Sequence, residues 1–219
     1  MTPRAIVAQS IAAGIDIIAV CDHNSAENVE ATMRAASDKD LLVLPGMEVS
    51  SKEEVHVLAV FERPEEANRL QDLIYRHLTG TNRPELFGDQ VIVNEFDEVE
   101  GFSDRRLIGA VDLSLNEIVQ EVKRLDGLGF AAHVDRPSFS ISSQLGFLPS
   151  DLKLDALEFA RSPDPEATLA KEGLPVLMSS DAHFLHDIGR VHTSFVIASP
   201  RFDEIRLALL REAGRRVGT

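Results

Sequence analysis

The chain predicts an α/β domain, a parallel barrel or a doubly wound sheet. Short β-branched apolar runs alternate with helical patterns along its whole length, the pattern of repeated strand–helix units. The runs have strand length, and no phosphate-cradling GxGxxG or GxxxxGK[ST] follows any of them, which disfavours the nucleotide folds built on those loops.

Taken in order, Thr2-Pro3 predicts an N-cap with proline at the first helical position, and that helix ends near Gly14. Residues 15–20 are a β-branched run suited to a buried parallel strand. Ser25 is expected to cap a helix running to about Ser37, and 41–44 to form a strand ending at Pro45-Gly46. Residues 55–61 predict a third strand and 64–78 a helix. Residues 90–102 break the rhythm and predict a surface β-hairpin turning near Asp97. Ser114 and Glu117 make a capping box for a helix that stops near Gly127. Further strands are expected at 130–133, 155–159, 175–179 and 194–198, with a last helix at 202–213.

At 219 residues and 44% hydrophobic content, the chain fits one domain, 1–219, with the hairpin an excursion near 88–104. No apolar run approaches membrane-spanning length. A single cysteine, Cys21, rules out an internal disulfide framework and predicts a reducing, cytoplasmic setting. It reads as a small buried apolar residue rather than a nucleophile. The net charge of −14 argues against broad nucleic-acid backbone binding, and so does the scarcity of aromatic platforms, with no Trp and one Tyr.

The acids and histidines fall at repeated places. IIAVCDH ends in Asp22-His23, LLVLPGME in Glu48, GFAAH in His133, and VLMSSDAH in Asp181 and His183. Each is at the carboxyl end of a predicted strand, the rim where α/β sheets and barrels collect ligand and catalytic groups. His56 begins its strand instead. The connection from Glu48 to Val55 is too short for a parallel crossover, so these two strands should form an antiparallel hairpin that brings His56 to the same rim. One Glu, one Asp and four His suit Zn²⁺, Mn²⁺ or Fe²⁺, which would activate water and polarise a phosphoryl oxygen. No Ser-His-Asp nucleophile elbow is visible.

At DIIAVCDHNS, PGMEVSSKEEVHVLAV, AAHVDR and SSDAH the chain resembles the PHP (polymerase and histidinol phosphatase) family of metal-dependent phosphoesterases. The resemblance implies a distorted TIM-like (β/α)7 barrel holding up to three metals. It implies His23, Glu48, His56, His133, Asp181 and His183 as ligands. Glu48 would bridge two ions, His56 and His133 would complete the second, Asp181 would belong with the first, and His23 and His183 with the third. The family opens with a strand ending in His-x-His, and this chain starts at Met1-Thr-Pro-Arg without it. Either the true start lies upstream or the protein is shortened. The expectation is a barrel missing its first strand, one or two held metals, and weak or absent turnover.

The function expected on this resemblance is hydrolysis of a small phosphate ester by a metal-bound hydroxide. Asp181 and His183 are expected at the chemistry, with Arg136 on the phosphate. Arg136 and Arg190 read equally well as salt-bridge partners. Asp22 reads as a hydrogen-bond acceptor behind the ligands. His77, His186 and His192 read as ordinary residues. A non-catalytic metal-binding or interaction protein is the alternative, and a metal-dependent nuclease a third. Exposed sheet edges left by a missing strand predict a homodimer; no membrane partner is expected.

Overall fold

The structure, a computed structural model, describes residues 1–160 and 173–218. Its main sheet has six strands in the order β1 (Ile17–Val20), β2 (Leu42–Ser50), β3 (His56–Val60), β6 (Leu128–Ala131), β7 (Ala156–Phe159) and β8 (Val176–Met178). Two ribbons stand apart: β4 (Val91–Val93) with β5 (Val99–Phe102), and β9 (Phe195–Val196) with β10 (Arg216–Val217). β1 pairs parallel with β2, and β6, β7 and β8 run parallel to one another, while β3 is antiparallel to both β2 and β6. The sheet curls into a half-barrel, a mixed α/β arrangement consistent with a distorted TIM-like barrel. Among the described residues β1 and β8 are its two edges.

Period-two alternation sorts the strands into an outer and an inner face. Val43, Met47, Val49, Val57, Ala59 and Leu157 belong to the larger apolar core. That core includes Leu70 and Ile74 of α3 (Pro64–His77), Ile118 and Val122 of α5 (Leu115–Arg124) and Ile141 of the short α6 (Ile141–Leu145), whereas the one-turn α4 (Pro84–Phe87) buries no residue. Leu44, Val60, Leu128, Phe130 and Ala156 point the other way and join a second core with Phe202, Ile205 and Leu209 of α7 (Phe202–Leu210). The last helix thus plugs the inner face at one end. Beyond it lies a cavity of about 830 Å³, lined by both edge strands and reaching Glu48, His133 and Asp181.

Several expected boundaries shift for physical reasons. The strand expected to stop at Pro45-Gly46 runs on to Ser50. Its first half pairs with β1 up to Pro45, and its second half pairs with β3 from Gly46. Gly46 marks the handover, because a Cβ there would sit 2.6 Å from the Cys21 sulfur and 2.9 Å from the Ala59 carbonyl oxygen. The segment expected at 194–198 leaves the main sheet and pairs as β9 with β10. The second helix, α2 (Val29–Ala35), starts beyond Ser25, with Asn28 at its N-cap. The Ser114–Glu117 capping box of α5 forms as the sequence predicts.

The first helix, α1 (Pro3–Ala12), has proline at its start, yet the Thr2 side chain does not cap it. The cap comes from the hairpin. Asp97, at its tip and in left-handed conformation, accepts from the Thr2 hydroxyl (2.9 Å) and the Arg4 amide (3.0 Å). Asn28 holds the base of the hairpin, donating to the Val91 carbonyl and accepting from the Val93 amide, each at 3.0 Å. The excursion is therefore latched onto α1 and α2. No helix among the described residues is long and apolar enough to cross a membrane.

Candidate metal centre

The β2–β3 hairpin forms as the short connection requires, with Ser50 opposite His56 and the Ser51 amide donating to the Val55 carbonyl at 2.9 Å. Glu48 shares the inner face with Leu44, and His56 shares it with Leu58 and Val60, so both side chains project into the half-barrel. His56 Nδ1 lies 2.6 Å from Glu48 Oε1. His23, just past β1, forms an isolated parallel bridge with Glu48, and its Nδ1 lies 3.9 Å from Glu48 Oε2. Donor atoms of His23, Glu48 and His56 all lie within 4.8 Å of one another.

His133 arrives by a different device. Phe130 faces inward and Ala131 outward, so alternation would turn residue 133 outward. A left-handed φ of 30° at His133 breaks the alternation, and its Nε2 lies 3.2 Å from both Glu48 Oε1 and His56 Nδ1. Asn24 (φ 50°) and Asp181 (φ 43°) have the same left-handed bend just past β1 and β8. Non-glycine residues held there are strained by about 1–3 kcal/mol each, and such strain concentrates at functional sites.

Electrostatics match the geometry. Burial opposes ionisation of Glu48, but hydrogen bonds from His133 and His56, with His23 nearby, hold its carboxyl well below the usual carboxylate range. Burial lowers the His23 pKa. Burial also acts against the His133 cation, but its bond to Glu48 prevails and raises its pKa. Among the described residues, His133 Nδ1 is buried without a hydrogen-bond partner. Ligands about 2.1 Å from one ion stand about 3.0–3.4 Å apart at octahedral to tetrahedral angles. The two 3.2 Å separations around His133 have that spacing. The residues fit a divalent metal.

His183 lies beside His23, their ring centroids 6.5 Å apart. Asp181 is ion-paired with Arg136, and its other oxygen lies 3.7 Å from His183 Nδ1. These three are thus grouped next to the four-donor cluster rather than merged with it. Arg190 pairs with Asp187 at 2.9 Å, and His186 stacks on Phe184. Surrounding protein pushes the Cys21 thiol up, away from a reactive thiolate.

Two residues escaped the sequence reading. Glu158, 3% exposed, accepts from the His133 amide and the Ser179 hydroxyl, and burial raises its pKa. Its signal was an acid at the end of an apolar strand, the same rim position as the others. Asn24, fully buried, donates to the Leu107 and Gly109 carbonyls and accepts from the Ser50 amide. It joins β1, β2 and the segment after the hairpin, contacts that no local pattern announces.

Residues 166–213 match the family model described as PHP-associated. The lesion-specific endonuclease PfuEndoQ from Pyrococcus furiosus has a similar fold, with TM-score 0.74 and 21% identity over 99% of this chain and 53% of that one. Endonuclease Q in complex with a 27-mer duplex bearing an abasic lesion gives TM-score 0.75 and 23% identity over 99% and 53%. The chain thus shares the fold of the matched part of those two endonuclease chains. It spans about half the length of those two endonuclease chains. A provisionally assigned metal-dependent phosphoesterase from Bifidobacterium adolescentis has a similar fold, with TM-score 0.58 and 20% identity over 96% of this chain and 91% of that one. No curated protein matches the chain in sequence.

Proposed function

We propose that this chain is a metal-dependent hydrolase that cleaves a phosphate ester. The observation that carries the reading is the convergence of His23, Glu48 and His56 donors, joined by His133, where strand ends open onto the cavity. Zn²⁺, Mn²⁺ or Fe²⁺ suits this mixture of imidazole and carboxylate. The metal would supply Lewis-acid polarisation of a phosphoryl oxygen and a more acidic bound water.

The remaining work belongs to side chains of this chain. Ionised Glu48 neutralises positive charge, and His56 and His133 fix its direction. Arg136 can exchange its ion pair with Asp181 for a phosphate oxygen, leaving Asp181 free to act as a further ligand. His183, with 57% of its side chain exposed beside Asp181, is placed to give a proton to the departing alkoxide. Cys21 suits a reducing, cytoplasmic setting. The open edges of β1 and β8 suit pairing with a second copy, and a monomer by light scattering would exclude that.

The test begins with elemental analysis of protein prepared without chelator or affinity metal. One or two transition-metal ions per chain are expected, fewer in H56A and E48Q. Phosphate release is then followed on nucleotides, sugar phosphates and single strands. Failure to bind metal after incubation with Mn²⁺ or Zn²⁺ would sink the proposal.

A second reading, polynucleotide cleavage, draws on the likeness to Endonuclease Q bound to lesion-bearing duplex. The net charge of −14 opposes extended backbone contact, so incision confined to an abasic site would be the result that favours it.

A further inference from the structure

The segment after β6 carries more than His133. Residues 133–140 fold back on themselves: the Arg136 amide donates to the His133 carbonyl at 2.9 Å, and the Ser140 hydroxyl donates to the Arg136 carbonyl at 2.7 Å. Phe139 is held in left-handed conformation (φ 58°), uncommon for any non-glycine residue and an outlier for a bulky one. Its carbonyl accepts the His56 amide at 2.8 Å, and its ring stacks on the His56 imidazole, with centroids 4.9 Å apart and planes 14° apart. Despite this contact, Phe139 remains 43% exposed.

A ring with one face on an imidazole and this much exposure presents its other face and outer edge to solvent. A simple cover for His56 would not need a strained backbone or an open face. The loop thus brings a metal-ligand candidate, an arginine and an aromatic face to one place, at positions 133, 136 and 139.

We infer that Phe139 is a stacking platform at the metal centre, selecting phosphate esters whose alcohol carries a planar aromatic ring. This rests on the phosphoesterase reading and narrows its substrate class. Stacking of a base on an aromatic side chain changes affinity by about tenfold or more.

Adenosine 5′-monophosphate and ribose 5-phosphate share the same primary ester and differ by the base, which isolates the platform. The Mn²⁺-loaded protein is expected to show a kcat/KM ratio favouring the nucleotide by about tenfold, mostly through KM. In F139L the ratio should collapse toward unity, and in F139W it should persist. F139W also gives a protein with a single tryptophan, since the chain has none. Its fluorescence should be quenched by adenosine monophosphate and not by ribose phosphate. Equal handling of both esters, or a preference surviving in F139L, would overturn the platform and leave phosphoesterase activity standing. If neither ester is hydrolysed, the phosphoesterase reading fails instead, and the tryptophan quench still decides the platform: selective quenching supports it, and equal or absent quenching overturns it.

Discussion

Glu158 on β7 accepts the backbone amide of His133, one strand away, so a buried carboxylate holds the left-handed bend that turns His133 inward. Its second oxygen is taken by the Ser179 hydroxyl, which ties the same acid to the exit of β8. One side chain thereby links the exits of three neighbouring strands.

Replacing Glu158 by alanine should strand the His133 amide in the interior, at a cost of about 1–3 kcal/mol. Loss of a supporting partner behind a ligand typically weakens metal affinity about 10–100-fold. Metal titration of E158A followed by calorimetry measures this, and an unchanged affinity would separate Glu158 from the site.

Asp97 provides the cap that Thr2 was expected to give α1. D97A should destabilise the protein by about 0.5–2 kcal/mol. Amide exchange should rise at the first turn of α1 and along the hairpin together, because the latch is shared. D97N keeps an acceptor and tolerates the left-handed backbone, so it should lose less. Faster exchange confined to the hairpin would contradict the latch.

At Gly46 a methyl group meets the Cys21 sulfur and the Ala59 carbonyl oxygen. G46A should therefore cost about 1–3 kcal/mol in denaturant unfolding. C21A/G46A should recover part of that loss, leaving the clash with the backbone oxygen. Strict additivity in this double-mutant cycle would rule out the contact.

Glu204 on α7 is paired with Arg215 through both oxygens, at 2.8 and 2.9 Å, and also accepts the Ala198 amide. Arg215 and that amide lower its pKa from 4.5 to about 2. A carboxylate lowered on folding contributes stability that is complete above about pH 4.5 and is lost as pH falls toward 2. The melting-temperature gap between wild type and E204Q should be widest near neutrality and close only as pH falls to about 2. A gap independent of pH would exclude the linkage.

Much of the site was legible because strand ends carry it. Asp22-His23, Glu48 and the 181–183 pair were visible as polar residues terminating apolar runs, and His56 followed from the length of one connection. What stayed hidden depends on backbone conformation or distant partners. The bend at His133 reverses a parity that alternation alone predicts wrongly. Asp97 and Arg4 are separated by 93 residues, beyond any local capping pattern. Likewise Pro45-Gly46 looked like a strand end, although β2 merely changes partners there.

The β2–β3 hairpin has a consequence for the order of assembly. Glu48 and His56 are eight residues apart, whereas Glu48 and His133 are separated by 85. Closing the shorter loop costs roughly 2 kcal/mol less chain entropy. Half of the donor set can thus form within a nascent hairpin, on a timescale of roughly microseconds, before β6 docks. An ion captured by that early pair would favour the later arrival of His133, making the metal centre a point from which the half-barrel can grow.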